Sequence, residues 1–499
     1  MSEEILKKFT EAELLLTPDA LQAISSMGKP AEFAELILAH AREKELLVID
    51  KTVVERLAKE EEKIPLPIEV HRPPSFRPLA KEHEGRVRVM RAGGESSCGG
   101  QVSDFVKHFR DRFRRIRRML EARSPSGITS MAAMRGMTRG REVRLIGMVR
   151  SKTLTRKGDL LVELEDEEGI AKVWVGKGRN EQERQCFEKA RSLMLDDVVA
   201  FDGKASDPFL IASDILWPDI PVRTTKTIEE DLAVAFISDT HVGSRLFMEK
   251  QFGAMLRWLK GEVGDERSRE IAGRVKYITL AGDLVDGIGI YPKQEKDLTI
   301  KDVFEQYREF AKLLESVPDY IEVIASPGNH DAVRRAEPQP VLPEEIAEAF
   351  SHLPNFHLVG SPAWVEIEGL KTLIYHGTSL DSVIASIPGM SYARPEMPMI
   401  ELLKRRHLSP TFGENPIVPE ESDGMLVEEV PDIVHMGHVH HNAFEKYRGT
   451  VVVNSGTWQD RTDYQVRLGH IPTPCILPVY GLRTAELVQV NFNEQAGVM

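Results

Sequence analysis

Five short polar clusters carry the side chains most able to do chemistry. Asp239-Thr-His241 follows the apolar run Ala235–Ser238, and Gly282-Asp283-Leu-Val-Asp286 follows Tyr277–Ala281. Gly328-Asn329-His330-Asp331 follows Ile321–Ala325 and the strand-breaking Pro327. His376-Gly377 follows Thr372–Tyr375, and Gly437-His438-Val-His440 follows Asp432–Met436. Carboxylates, an amide oxygen and imidazoles suit divalent first-row metals, and the absence of cysteine disfavours a structural zinc site. Histidine also titrates near neutral pH and can pass protons. One loop histidine means little; five such clusters between residues 239 and 440 mean more. Residue type alone does not say which side chains bind metal and which move protons.

Each cluster falls where a buried strand is expected to end. Strands are predicted over Asp231–Ser238, Lys276–Ala281, Ile321–Ala325, Lys371–Tyr375, Ile433–Met436 and Val451–Val453. Helical stretches near Met248–Gly261, Asp302–Glu315, Leu342–Phe350 and Met397–Arg406 alternate with them. Residues 222–499 therefore read as a layered α/β domain. Ligands of open α/β sheets bind beyond the carboxyl ends of strands, and the glycines permit the sharp turns needed there.

Residues 141–221 precede it. Strands over Glu142–Ser151, Asp159–Glu165 and Ile170–Val175, a helix over Asn180–Met194, then strands over Val198–Gly203 and Phe209–Ile215 give the order of an OB-fold β-barrel. Trp174 and Phe201 are expected in its core. Residues 1–70 read as a small helical domain, with helix starts at Thr17-Pro18 and Asp50. Residues 71–140 read as a flexible linker, from Pro65, Pro67, Pro73, Pro74 and Pro78 and from Gly93–Gly100. Within it, residues 103–123 carry eight Lys or Arg against Asp104, Asp111 and Glu121, with Phe105, Phe109, Phe113, Ile116 and Leu120 at helical spacing. This basic amphipathic helix either packs by its phenylalanine face or contacts phosphates or a partner.

The net charge of −13 argues against a whole-surface affinity for nucleic acid but leaves room for local patches. Cys98, Cys186 and Cys475 form no CxxC, so a reducing cytoplasmic setting is expected. No apolar run approaches about 18 residues and the start lacks a basic-then-apolar leader, so no membrane association is expected.

In that order, DxH, GDxxD, GNHD, H and GHxH resemble the calcineurin-like metallophosphoesterases. The resemblance implies two divalent metal ions, Mn²⁺ first, with Mg²⁺, Fe²⁺ or Zn²⁺ as alternatives. It implies that Asp239, His241, Asp283 and His440 hold one ion. Asp283, Asn329, His376 and His438 would hold the other, with Asp283 bridging. His330 would face the scissile phosphate as general acid, Asp286 would orient it, and Asp331 would support the same loop.

Gly287 stands where protein phosphatases of this superfamily carry arginine, and Asp331 where they carry glutamate. Gly282–Pro292 and Ser326–Pro340, with the helical unit, linker and OB order before them, resemble the small subunits of archaeal family-D DNA polymerases. The match covers residues 141–499; the N-terminal unit matches in general character. It implies a 3′-5′ proofreading exonuclease whose partners are a large catalytic subunit and DNA with a 3′ end. The alternative is a catalytically inactive scaffold subunit, as in eukaryotic B-subunits, which lack the metal ligands that are all present here. Arg334 and Arg335 are candidates for binding the DNA backbone, with a plain salt-bridged surface loop as the rival reading. The acidic stretch Pro419–Asp423 is expected away from the substrate path.

Overall fold

The computed structural model describes residues 2–12, 14–27, 30–44, 46–61, 76–93, 96, 98–123, 127–134, 136–467 and 469–493. Pro65, Pro67, Pro73 and Pro74, and Gly94, Glu95 and Ser97 of the glycine-rich stretch, lie outside them. The chain divides into two units, Met1–His71 and Arg72–Met499.

The first unit holds the helices Ser2–Glu11, Pro18–Ser25, Pro30–Glu43 and Lys51–Glu61. Thr17 caps the second by accepting from Ala20 N at 3.3 Å, with proline in the first turn where its missing N–H costs nothing. Asp50 caps the fourth through Val53 N at 3.0 Å. Ile5, Phe9, Ile24, Phe33, Ile37, Val54 and Leu57 form its core.

Two six-stranded sheets stack in the second unit. The first runs in the order Phe356–Leu358, Glu322–Ser326, Val275–Ala281, Ala233–Ile237, Ile476–Gly481, Leu487–Asn491. The second runs Asn442–Tyr447, Thr450–Ser455, Ile433–Met436, Leu370–Ile374, Ala363–Ile367, Val87–Arg91. Val234, Phe236, Tyr277, Ile324, Val365, Ile374, Val451 and Val453 fill the space between them. Helices Glu249–Leu259, Glu266–Arg274 and Val303–Leu314 share a core with the first sheet, and Leu380–Ser386 and Glu396–Arg405 with the second. The central strands are covered on both faces, which is why they read as unbroken apolar runs. Their parallel pairing sends successive carboxyl ends to one edge of the layers.

The OB-fold barrel uses strands Glu142–Leu154, Leu160–Glu165, Ile170–Val175, Val198–Ser206 and Phe209–Leu216, with helix Glu181–Arg191 after the third. Antiparallel pairing of Glu142–Met148 with Val198–Lys204 closes it. Phe201 lies in its core. Trp174 does not: Val173 and Val175 point inward, so alternation turns Trp174 outward, edge-on to Phe209 with centroids 6.2 Å apart. Arg405 pins the barrel to the phosphoesterase layers through Asp197 at 2.8 Å, with both side chains buried.

Residues 76–93 and 98–123 are structured within the second unit. Val87–Arg91 pairs antiparallel with Ala363–Ile367 as an edge strand. The basic segment is the helix Val102–Arg123, whose Phe113, Ile116 and Leu120 pack on Ile146, Met148 and Val198 of the barrel and on Leu426. Its charges turn largely inward to this chain. Arg112 is buried against Asp423 at 2.7 Å and Pro410 O at 2.8 Å. Arg115 pairs with Glu428 and Asp111, Arg114 with Glu167, and Arg117 with Glu121. Arg123 donates to the carbonyl of Pro218 at 2.7 Å. The acidic stretch thus lies under this helix, with Glu420 O also bonded to His108 Nδ1 at 2.8 Å.

Candidate metal centre

All five polar clusters follow the carboxyl ends of strands and meet in one buried site. The backbone there is unusual. Asp239, His241, Asp283, His438 and His440 all have positive φ, between 49° and 67°. L-residues enter this left-handed region at a cost, and such residues concentrate where function fixes a side-chain direction. Three glycines leave room for the side chains. A Cβ on Gly328 would lie 2.2 Å from Asp283 Oδ1, on Gly437 2.4 Å from Asp239 Oδ2, and on Gly282 2.5 Å from His376 Nδ1.

Asp239, His241 and His440 form one set of converging donors, and Asp239, Asp283 and His376 another. His440 Nε2 lies 3.3 Å from Asp239 Oδ1 and 3.2 Å from His241 Nε2. His241 Nε2 is 3.7 Å, and His376 Nε2 3.4 Å, from Asp283 Oδ2. Asn329 Oδ1 sits 2.9 Å from His376 Nε2 and 3.1 Å from His438 Nδ1.

The outer ring nitrogens show why these atoms fit a cation. His376 Nδ1 donates to the carbonyl of Ala281 at 2.7 Å, His438 Nε2 to Asp381 Oδ2 at 3.1 Å, and His241 Nδ1 to Asp286 Oδ1 at 3.0 Å. Each neutral ring therefore presents a bare lone pair to other acceptors inside the site. This is the arrangement of histidines whose far nitrogen is fixed by an acceptor so that the near one can bind metal. Burial alone would lower His241 and His376. The Asp286 hydrogen bond and the Asp283 charge push His241 up to about 9, and Asp283 pushes His376 up to about 10. Burial would raise Asp283, yet the imidazoles of His376, His330 and His241 hold it well below the usual carboxylate range. Converging acceptors thus demand positive charge at their centre, a demand that divalent cations answer.

His330 differs from the candidate ligands in its bonding rather than its exposure: its side chain is 17% exposed, much as that of His438 is at 18%. Nδ1 donates to the main-chain oxygen of Asp286 at 2.8 Å, and the backbone N donates to Asp283 Oδ1 at 2.8 Å. Asp286 thus meets His330 through its main chain; its carboxylate stands 3.8 Å from His330 Nδ1, too far to bond, and bonds His241 Nδ1 instead. Asp331 accepts from Gly328 N at 2.8 Å, Leu284 N at 3.2 Å and Tyr307 Oη at 2.9 Å, bracing the loop from behind. Burial first, then Asp283, pushes its carboxyl up to about 6.

Arg334 and Arg335 flank the loop. Arg334 donates to Pro338 O at 2.8 Å and Arg335 to Ile290 O at 2.7 Å, so each guanidinium spends a contact on backbone. Glu337, which follows them, is buried and accepts from Tyr375 Oη at 2.8 Å, so it is not available to pair with them at the surface.

Residue 232–474 matches the family model for calcineurin-like phosphoesterases. The chain is 42% identical over 410 residues to the DNA polymerase II small subunit of Methanocaldococcus jannaschii, covering 81% of this chain and 68% of that protein. It is 44% identical to the same subunit of Archaeoglobus fulgidus, over 78% of this chain and 77% of that one. It is 35% identical to that of Methanothermobacter thermautotrophicus, over 98% of this chain and all of the relative. The chain belongs to the archaeal DNA polymerase II small-subunit family. The last of these matches carries the family assignment across both units.

Four partners of the site escaped sequence reasoning, three of them buried and Asp381 exposed. Asp381 holds His438, as described. Gln465 Nε2 meets His440 Nδ1 at 2.9 Å. Gln459 Nε2 donates to Asp286 Oδ1 at 3.2 Å, and Gln294 Nε2 to Asp286 Oδ2 at 3.0 Å. Gln459 had a usable signal: it follows the buried strand Thr450–Ser455, at the same edge as the other clusters. The others lie on short helices or loops without any such mark.

Proposed function

We propose that this small subunit is a 3′-5′ exonuclease that removes mispaired nucleotides for a DNA polymerase, working with a large catalytic subunit. The observation that carries the reading is the complete set of seven donors, three of whose histidines are fixed to present lone pairs inward. A scaffold with no chemistry has no need of these strained, buried side chains.

In this reading Asp239, His241, Asp283 and His440 hold one divalent ion and Asp283, Asn329, His376 and His438 the other. Oxygen and imidazole donors without thiolate are compatible with Mn²⁺, the ion taken first here, and equally with Fe²⁺ or Zn²⁺. Two ions held there would supply a water of lowered pKa and positive charge against the phosphoryl oxygens. The residues do the rest. Water attacks phosphorus, the bond to the 3′ oxygen of the retained strand breaks, and that oxygen takes a proton from His330. Because Nδ1 is committed to the Asp286 carbonyl, the transferable proton is the one carried on Nε2. Burial holds His330 below its ordinary pKa, and the negative charge of an arriving phosphodiester acts in the opposite direction. The products are a nucleoside 5′-monophosphate and a strand shorter by one.

The test is purified protein with Mn²⁺ on single-stranded and 3′-mismatched DNA. Wild type shortens both from the 3′ end. His330→Ala loses cleavage by about 10²–10⁴-fold while two metal ions remain bound. An active His330→Ala protein removes that residue's role, and a wild type that binds no metal leaves only the scaffold reading.

A further inference from the structure

The loop Gly287–Asp297 lies beside His330 and takes no part in the chemistry above. It exposes two large apolar side chains, Ile288 at 47% and Tyr291 at 40%. The exposure is not slackness. Gln294, fully buried beneath it, accepts from Ile290 N at 2.9 Å and donates to Asp286 O at 2.8 Å. Arg335 holds Ile290 O, and the Gly287 main chain bonds to the Gln306 amide in both directions, at 2.9 and 3.2 Å. Tyr291 is oriented too, its Oη 3.2 Å from Asp297 Oδ2.

Position gives the loop its meaning. One oxygen, the Asp286 carbonyl, accepts both from His330 Nδ1 and from Gln294 Nε2, so acid and loop share an anchor. Gly287 packs so closely that a Cβ there would meet His330 O at 2.2 Å. The oxygen that receives the His330 proton belongs to the sugar of the nucleotide left on the strand. The base of that nucleotide would be one sugar away from this oxygen, and this loop stands beside the His330 that serves it. A fixed aromatic ring and an aliphatic side chain, both open to solvent, match a flat nucleobase that has left its duplex.

We propose that Tyr291 and Ile288 seat the nucleobase of the nucleotide that becomes the new 3′ end, so that the exonuclease acts on ends whose last two bases are unstacked from duplex. The proposal rests on the exonuclease reading, and its test keeps the two apart. Two single-stranded oligonucleotides are compared in the assembled polymerase with Mn²⁺ and no nucleotides. One is ordinary; the other has an abasic site at the penultimate position. Wild type removes the terminal nucleotide of the ordinary strand faster, by roughly 5- to 150-fold, the range of one base stack. In Tyr291→Ala, and in the double variant with Ile288→Ala, that ratio falls toward one, while Tyr291→Phe keeps it. Metal content stays at the wild-type value. A wild-type ratio of one, or variants that leave the ratio unchanged, overturns the proposal while the exonuclease stands. If the variants instead weaken binding of the large subunit with the ratio intact, the loop is a protein contact and the proposal is wrong. If wild type cuts neither strand, the exonuclease reading itself fails.

Discussion

Asp286→Asn separates two accounts of one carboxylate. If Asp286 served His330, the substitution would slow cleavage and leave metal binding alone. The structure places it behind His241 instead, so metal affinity is expected to fall. Oδ1 accepts from His241 Nδ1 at 3.0 Å and from Gln459 Nε2 at 3.2 Å, and Oδ2 accepts from Gln294 Nε2 at 3.0 Å. An asparagine oxygen can keep the first two bonds, but the His241 bond loses its charge assistance and about half its strength. The asparagine amide then faces the Gln294 amide, donor against donor. Gln294 cannot simply turn over, because its oxygen is held by Ile290 N. A buried unsatisfied donor costs about 1–3 kcal/mol of stability. Loss of a carboxylate behind a metal-binding histidine costs about 10–100-fold in metal affinity, or ~1.4–2.7 kcal/mol. Calorimetric titration of the metal-free protein with Mn²⁺ reads this directly. The site involving His241 should weaken by that factor and the other should hardly move, and excess Mn²⁺ should restore much of the cleavage rate. Unchanged Mn²⁺ affinity with impaired cleavage would refute the reasoning and return Asp286 to His330.

Two further outcomes test the frame around the site. Arg112→Ala leaves buried Asp423 with only His108 and His407 as side-chain partners, and should cost ~3–5 kcal/mol in urea unfolding; Arg110→Ala, on the exposed side of the same helix, should cost under about 0.5. Equal costs would mean that the helix is not clamped by Arg112. The second outcome is a pH dependence carried by His407, which burial first, then Arg112, pushes down to about 4. The unfolded chain takes up its proton near 6.5 and the folded chain near 4, so its contribution is whole above pH 6.5 and is lost as pH falls toward 4, by up to ~3 kcal/mol. Asp423, held well below its ordinary value, stays ionised throughout that window. His407→Gln should flatten the loss of unfolding free energy between pH 7 and pH 4.5, and a slope as steep as wild type would exclude His407 as its source.

The parallel strands were legible because burial on both faces writes itself as an uninterrupted apolar run, as in Val275–Ala281. The clusters after them were legible because the carboxyl edge of such a sheet is where side chains can converge. The barrel was legible from strand order, since three strands, a helix and two strands can close only in a few ways. What failed was pairing across long distances. Val87–Arg91 looked like linker because its partner, Ala363–Ile367, lies far along the chain and nothing local announces it. Trp174 was misplaced inside the barrel although it alternates with Val173 and Val175, so the period-two pattern already pointed it outward. Asp286 meets His330 through its main-chain oxygen and His241 through its carboxylate, and order along the chain does not tell which of two imidazoles a carboxylate meets.

The backbone at the site explains why its residues are of so few kinds. Five of the seven candidate ligands sit at positive φ. Each such L-residue costs roughly 1–2 kcal/mol, together ~5–10 kcal/mol, which is comparable to the net stability of a whole domain. Glycine would relieve that strain at every one of these positions but offers no donor. Aspartate and histidine tolerate the left-handed region better than β-branched or bulky residues do, and they supply oxygen and nitrogen donors. The surrounding fold must therefore hold the turns shut by itself. It does so with main-chain bonds that tie one cluster to the next: Asp239 N to Gly282 O at 2.9 Å, His241 N to Asp283 O at 3.1 Å, and His438 N to Asp239 Oδ2 at 2.9 Å. These bonds cross between separate strand ends, so no cluster is held in its strained form by its own sequence. The ligands are positioned only when both sheets are packed, which couples the geometry of the site to the folding of the entire layered domain.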